Sequence, residues 1–203
     1  MATVILDRNL AQGLIAERKR FGHDRFDEVW EGVYMMAPAP NDEHSLIVMR
    51  LSHFFDDVIG IPGKGEVRTA INVSDRAIGW EKNFRVPDLA VMLRSGKAAN
   101  RGTYWQGGPD FVMEVCSPDE DPHEKLEFYE SVGVRELLIV NRDPWKLELF
   151  RLTGNGLKLA AEVTTGSPEF GSEVIPFRFG LVAGPERPTL VVTQIESSES
   201  RRI

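Results

Sequence analysis

The chain has little cysteine or histidine: its 203 residues include one cysteine, Cys116, and four histidines. A single thiol excludes an internal disulfide, and so few thiol and imidazole groups argue against a structural zinc site. Lying in an apolar run, Cys116 reads as a small core residue. Long apolar stretches are also missing. No run approaches the ~20 residues of a membrane span, and the start MATVILDRNL lacks the basic region and apolar core of a secretory signal. The expected location is therefore cytoplasmic, with no membrane partner. No internal repeat, P-loop or dinucleotide fingerprint occurs, so no glycine loop stands ready to cradle phosphate. Positive charge is short as well: 31 acidic residues against 24 lysines and arginines give a net charge of −7. Nucleic-acid binders usually carry a basic footprint. Here the candidates for one are Arg18, Lys19 and Arg20, and the loop residues Arg94, Lys97 and Arg101.

What is present describes a globular chain. Hydrophobic content of 42% and charged content of 27% are ordinary for a soluble domain, and the length suits one core. Residues 1–195 read as a single domain, and the polar end ESSESRRI (196–203) reads as a disordered tail. Residues 8–21 have helical apolar spacing and stop at Gly22. RFDEVWEGVYMMAPAP (25–40) reads as a hairpin or bent strand around Gly32. Residues 41–60 form a well-marked helix, with Asn41 or Asp42 as cap and an apolar stripe at Leu46, Ile47, Leu51, Phe54, Phe55 and Val58. Strand patterns follow at 66–75, 84–93 and 109–116, then at 135–143 and 145–152 around an Asp143-Pro144 turn. Further short strands fall at 157–163 and within 168–181. Interleaved strands and helices of this kind predict an α/β fold, with a mixed central sheet flanked by the 41–60 and 121–132 helices and extended by short C-terminal strands.

Three residues stand out against this pattern. Asp88 lies in FRVPDLAVML (84–93) and Glu114 in PDFVMEVCSP (109–118), each with bulky apolar neighbours. An ionised carboxylate buried in such a run needs a cation nearby or it neutralises. If the two runs are neighbouring strands, both carboxylates come to one face, where a hard cation such as magnesium would relieve their repulsion. The third residue is Lys125, in DPHEKLEFYESVG (121–133). Asp121 as N-cap, Pro122 at the first helical position and Glu124 completing a capping box mark a helix start, with Gly133 as its stop. A lysine in the first turns opposes the helix dipole at about 0.3–1 kcal/mol, which suggests a task.

The series VPDLAV, PDFVMEVCSP, D-x-x-x-K at 121–125 and YESVGVRELLIV (129–140), preceded by EVWEGVYMMAPAP and His44, resembles the Uma-type restriction endonuclease family of the PD-(D/E)XK nuclease superfamily. The resemblance runs from about Glu28 to about Leu152. It implies a restriction-endonuclease-like core and metal-dependent hydrolysis of phosphodiester bonds, with DNA as the substrate. It further implies magnesium, or manganese in its place, held by Asp88, Glu114 and the main-chain carbonyl of Val115, with Lys125 orienting water or stabilising developing charge. Glu28 would be an additional acidic residue and His44 a supporting one. A homodimer is compatible, because endonucleases that cut both strands commonly act in pairs. One departure is plain: Cys116 stands two residues after Glu114, where the superfamily's usual pattern has its lysine, and Lys125 from the following helix would take that role. The competing class is a non-catalytic module that keeps the fold to bind DNA or a protein partner.

Overall fold

Apolar residues at nearly every position of residues 89–93, 111–115 and 136–140 leave each run with two buried faces, and such runs stack side by side in a covered sheet. The computed structural model describes residues 8–116 and 121–203. In chain order its elements are α1 (Arg8–Phe21), β1 (Glu28–Trp30), β2 (Val33–Met35), α2 (Asp42–Phe55), β3 (Gly65–Arg68), β4 (Val73–Ser74), β5 (Phe84–Arg85), β6 (Leu89–Leu93), β7 (Ala99–Asn100), β8 (Trp105–Gln106), β9 (Phe111–Val115), α3 (Leu126–Val132), β10 (Glu136–Arg142), β11 (Trp145–Thr153), β12 (Gly156–Val163), β13 (Phe170–Gly171), β14 (Phe177–Val182), β15 (Thr189–Gln194) and β16 (Ser200–Arg202).

The central sheet has the order β12-β11-β10-β9-β6-β3. It is mixed: β9 and β10 run parallel, and the other neighbours are antiparallel. Parallel strands need a crossover, and the segment carrying α3 supplies it. One face of the sheet, through Leu89, Val91, Phe111, Met113, Leu138 and Val140, packs on α2 and on the C-terminal sheet β13-β14-β15-β16. The opposite face, through Val112, Leu137, Ile139 and Phe150, is covered by Phe128 and Tyr129 of α3. Short strands in the order β2-β1-β5-β4-β8-β7 form a second sheet, which carries the Glu28 hairpin. That hairpin turns at Glu31 and Gly32, both with positive φ. The mixed α/β architecture is the one expected, and no helix among the described residues is long and apolar enough to cross a membrane.

Several elements differ from the sequence reading, each for a local reason. The single strand expected at 66–75 is broken around Ala70, whose φ of 49° ends β3, so that β4 joins the other sheet. The helix expected at 41–60 is α-helical to Phe55, capped by the Asn41 side chain as anticipated, and closes with a π-helical turn at Asp56–Gly60. The helix expected from Asp121 opens with a 3-10 turn, Pro122–Lys125, and becomes α-helical only at Leu126. The expected disordered tail at 196–203 is corrected: β16 pairs with β15, and the main chain of Ile203 exchanges two hydrogen bonds with Leu190. The Ile203 side chain joins the core at 5% exposure. This one apolar anchor and the edge of β15 outweigh the polar composition of the preceding residues.

Candidate active site

Register places the two carboxylates. Leu89 pairs with Met113 in the antiparallel β6/β9 ladder, so Asp88, one residue before β6, falls opposite Glu114. Directly opposed residues share a face of the sheet. Met113 and Val115 point to α2, and Glu114 therefore points to α3. Its carboxylate is buried among apolar neighbours and receives its partners from the crossover. Lys125 Nζ lies 3.2 and 3.3 Å from the two Glu114 oxygens, and the Tyr129 hydroxyl donates to Oε1. Lys125 and Tyr129 are four residues apart, so they project from adjacent turns of one face.

Glu28 arrives from the other sheet. Its Oε1 accepts from the Val86 amide at 2.8 Å and lies 3.0 Å from Lys125 Nζ, while its Oε2 accepts from the Trp30 indole at 2.7 Å. Asp88 is held from two further directions. Its Oδ2 accepts from the Val115 amide at 2.7 Å, and its Oδ1 lies 2.9 Å from His44 Nε2. His44 sits in the first turn of α2, where Asn41 Oδ1 accepts its amide hydrogen. All five residues singled out in the sequence, Asp88, Glu114, Lys125, Glu28 and His44, thus come together at the ends of β6 and β9. Asp88 has the most exposed of these side chains, at 17%, against 6% for Glu114 and 7% for Glu28.

The helix-dipole argument for Lys125 needs correction. Its side chain is 11% exposed and stands between two carboxylates, so the dominant influence on it is ion pairing in a dry setting, not the end of a helix. Electrostatics at Glu114 follow from the same crowding. Burial pushes its carboxyl up to about 8; Lys125 opposes this, and the charges of Asp88 and Glu28 add to it. Burial also holds the Tyr129 hydroxyl well above its ordinary value, with the Glu114 charge next in weight, so Tyr129 remains a donor.

Two participants were not found from the sequence. Tyr129 lies in the YESVGVRELLIV stretch, where no role was assigned to it; its spacing of four from Lys125 was the available signal. Arg85, in the apolar run before Asp88, is 6% exposed and lies between the rings of Trp30 and Phe128, 4.4 and 4.3 Å from their centroids. It donates to the Val29 carbonyl at 3.0 Å, and burial lowers its pKa from the usual arginine value. Cys116 is half-buried, with Sγ 3.0 Å from Asn141 Oδ1. Of the basic clusters, Arg18 is clasped by Asp27, and Arg101 donates to Gln106.

Among the described residues, no three His, Cys, Asp or Glu side chains group as a ready cation cage. The donor chemistry nonetheless fits a hard ion of modest demand: Asp88, Glu114 and the adjoining Val115 carbonyl are all oxygen donors, and magnesium takes one or two carboxylates and keeps its other positions for water and phosphate. Burial is the main cause of the rise at Glu114, and the part that the charges of Asp88 and Glu28 add to it is the kind that a dication relieves.

Known proteins share this chain's fold and its sequence pattern. In the solved structures, a crystal structure of a putative nuclease belonging to DUF820 from Anabaena variabilis ATCC 29413 resembles this chain with a TM-score of 0.55 at 17% identity, over 79% of this chain and 82% of that one. This is a likeness of fold. No curated protein matches the sequence. The family model Uma2, described as putative restriction endonuclease, matches residues 22–183. That span includes all five clustered residues and most of the central sheet, and the chain belongs to the Uma2 family.

Proposed function

We propose that the protein is a metal-dependent endonuclease that hydrolyses phosphodiester bonds, with DNA as its substrate. The observation that carries this reading is the convergence of Asp88, Glu114 and Lys125 on one face where β6 begins and β9 ends. Asp88, Glu114 and the Val115 carbonyl would hold magnesium, which when bound supplies an acidified water and positive charge for the phosphate. The chain's own groups do the rest. The Val115 amide and His44 fix the Asp88 carboxylate, and Tyr129 fixes that of Glu114. Lys125 holds an ammonium beside the Glu114 and Glu28 carboxylates, placed to orient water or to stabilise negative charge developing on the phosphate oxygens. Apolar packing around Glu114 keeps bulk water from screening these charges. No covalent intermediate is required.

The test combines binding and turnover. Asp88→Ala and Glu114→Ala should each abolish calorimetric binding of magnesium and manganese and abolish cleavage of supercoiled plasmid. Manganese binding equal to the parent's in both variants would remove the metal site. A net charge of −7 favours the second reading, a non-catalytic module that binds DNA or a protein. A parent protein that cuts no DNA with either metal would establish that one instead.

A further inference from the structure

Resting on the nuclease reading, we propose that Glu28 is a positioning residue for Lys125 and is not a third metal ligand. The superfamily resemblance suggested an additional acidic residue at this position, and proximity alone would allow it to share a cation with Glu114. The partners of its carboxylate argue otherwise. A carboxylate offers about four acceptor sites, and three of those on Glu28 are occupied by the Val86 amide, the Trp30 indole and Lys125. The amide and the indole have no freedom to leave. Val86 directly follows β5, which pairs with the strand carrying Glu28, and the Trp30 ring is packed against the Arg85 guanidinium. A cation drawing on Oε1 would have to displace Lys125 or leave the buried Val86 amide without a partner, and the one site left open is on Oε2, beside the Trp30 indole.

Asp88 and Glu114 are differently equipped. Glu114 accepts from the side-chain ends of Lys125 and Tyr129, and Asp88 is the most solvent-exposed member of the cluster. A cation arriving there competes with Lys125 for Glu114. The ammonium then keeps Glu28 Oε1, 3.0 Å away, as its anchor. A lysine ammonium is a point charge on a flexible four-carbon stem. Glu28, itself fixed by two immobile donors, turns it into a placed donor that stays in the site when the metal is bound.

Glu28→Gln tests this, because it keeps the shape and an acceptor oxygen while removing the charge that anchors Lys125. Manganese affinity, measured by calorimetry, should stay within about twofold of the parent. The kcat for plasmid cleavage should fall on the order of 100-fold, as for loss of one positioned donor, with KM unchanged, and Lys125→Met added to Glu28→Gln should cost little more. Glu28→Asp, which retains the charge, should recover part of kcat. A tenfold or greater loss of manganese affinity in Glu28→Gln would make Glu28 a ligand and overturn the proposal; so would additive losses in the double variant. If the parent cuts no DNA, the nuclease reading falls, and the assignment is still decided by the Glu28→Gln/Lys125→Met cycle in urea unfolding. Coupling between the two sites supports the pairing, and strict additivity overturns it.

Discussion

Replacing Lys125 with methionine removes a cation that lies within 3.0–3.3 Å of two buried carboxylates and keeps a stem of similar length. Taking one partner from a buried ion pair costs about 3–5 kcal/mol, because the charge left behind is uncompensated. The cost here depends on pH through Glu114. Its carboxyl is raised from 4.5 to about 8 in the folded protein. A raised carboxyl contributes stability that is fully present below the unfolded value and is lost as pH rises through the folded one, at a limiting slope of about 1.4 kcal/mol per pH unit. In the parent that loss runs from about pH 4.5 and levels off near pH 8. Lys125 is the strongest influence holding the value down. Without it the folded pKa climbs further and the loss continues past pH 8. At pH 6, Glu114 is protonated in both proteins, and the variant forfeits chiefly the Glu28 pairing. At pH 9, one unit above the parent's folded value, Glu114 adds at most about 1.4 kcal/mol to that loss. Urea unfolding in EDTA at the two pH values, read as a change in midpoint at constant m, measures the difference. A variant as stable as the parent at pH 9, or more stable by the few tenths that relief of a helix dipole would give, would refute the ion-pair account and leave Lys125 an ordinary lysine near a helix start.

Two further outcomes are expected. Tyr129→Phe removes the hydroxyl that donates to Glu114 Oε1; stability should fall by about 1–3 kcal/mol, and carbon NMR of the Glu114 carboxyl should show its pKa moving up, whereas an unchanged titration would mean that the hydrogen bond is not made in solution. Phe55 is fully buried and stacks on Phe177 at 4.5 Å. Phe55→Ala should therefore cost about 3–5 kcal/mol in denaturant unfolding, and a loss below about 1 kcal/mol would contradict the packing of α2 on the C-terminal sheet.

Much of the site was legible because it is written in local contrasts. Asp88 and Glu114 are carboxylates inside apolar runs, and that alone predicts two buried charges needing a partner. The Asn41 cap and the Gly32 turn depend on side-chain chemistry within a few residues, and both occur as read. What the sequence hid depends on distant contacts. Tyr129 is ordinary helix-face apolar material until β9 brings Glu114 to its hydroxyl. Arg85 is simply a charge in an apolar run until Trp30 and Phe128 close on it. Lys125 was noticed for a weaker reason than the one that holds, since its depth is set by the hairpin carrying Glu28. The strand at 200–202 went unread because a polar edge strand has little pattern of its own and exists through its neighbour, whereas the apolar run at 189–194 was there to be read.

The parallel pairing of β9 with β10 has a consequence for the order in which the site assembles. Glu114, Lys125 and Tyr129 lie within one strand-crossover unit, the first two only 11 residues apart. Glu28 reaches its amide partner across 58 residues. Closing the longer loop costs about 1.5 kcal/mol more in chain entropy, so the crossover half of the constellation is the cheaper to form early and the hairpin docks onto it afterwards. Until it does, Lys125 has Glu114 but lacks its Glu28 anchor. On this account the folding chain has the Glu114 carboxylate in place before its ammonium is anchored, and seating of the hairpin completes the cluster.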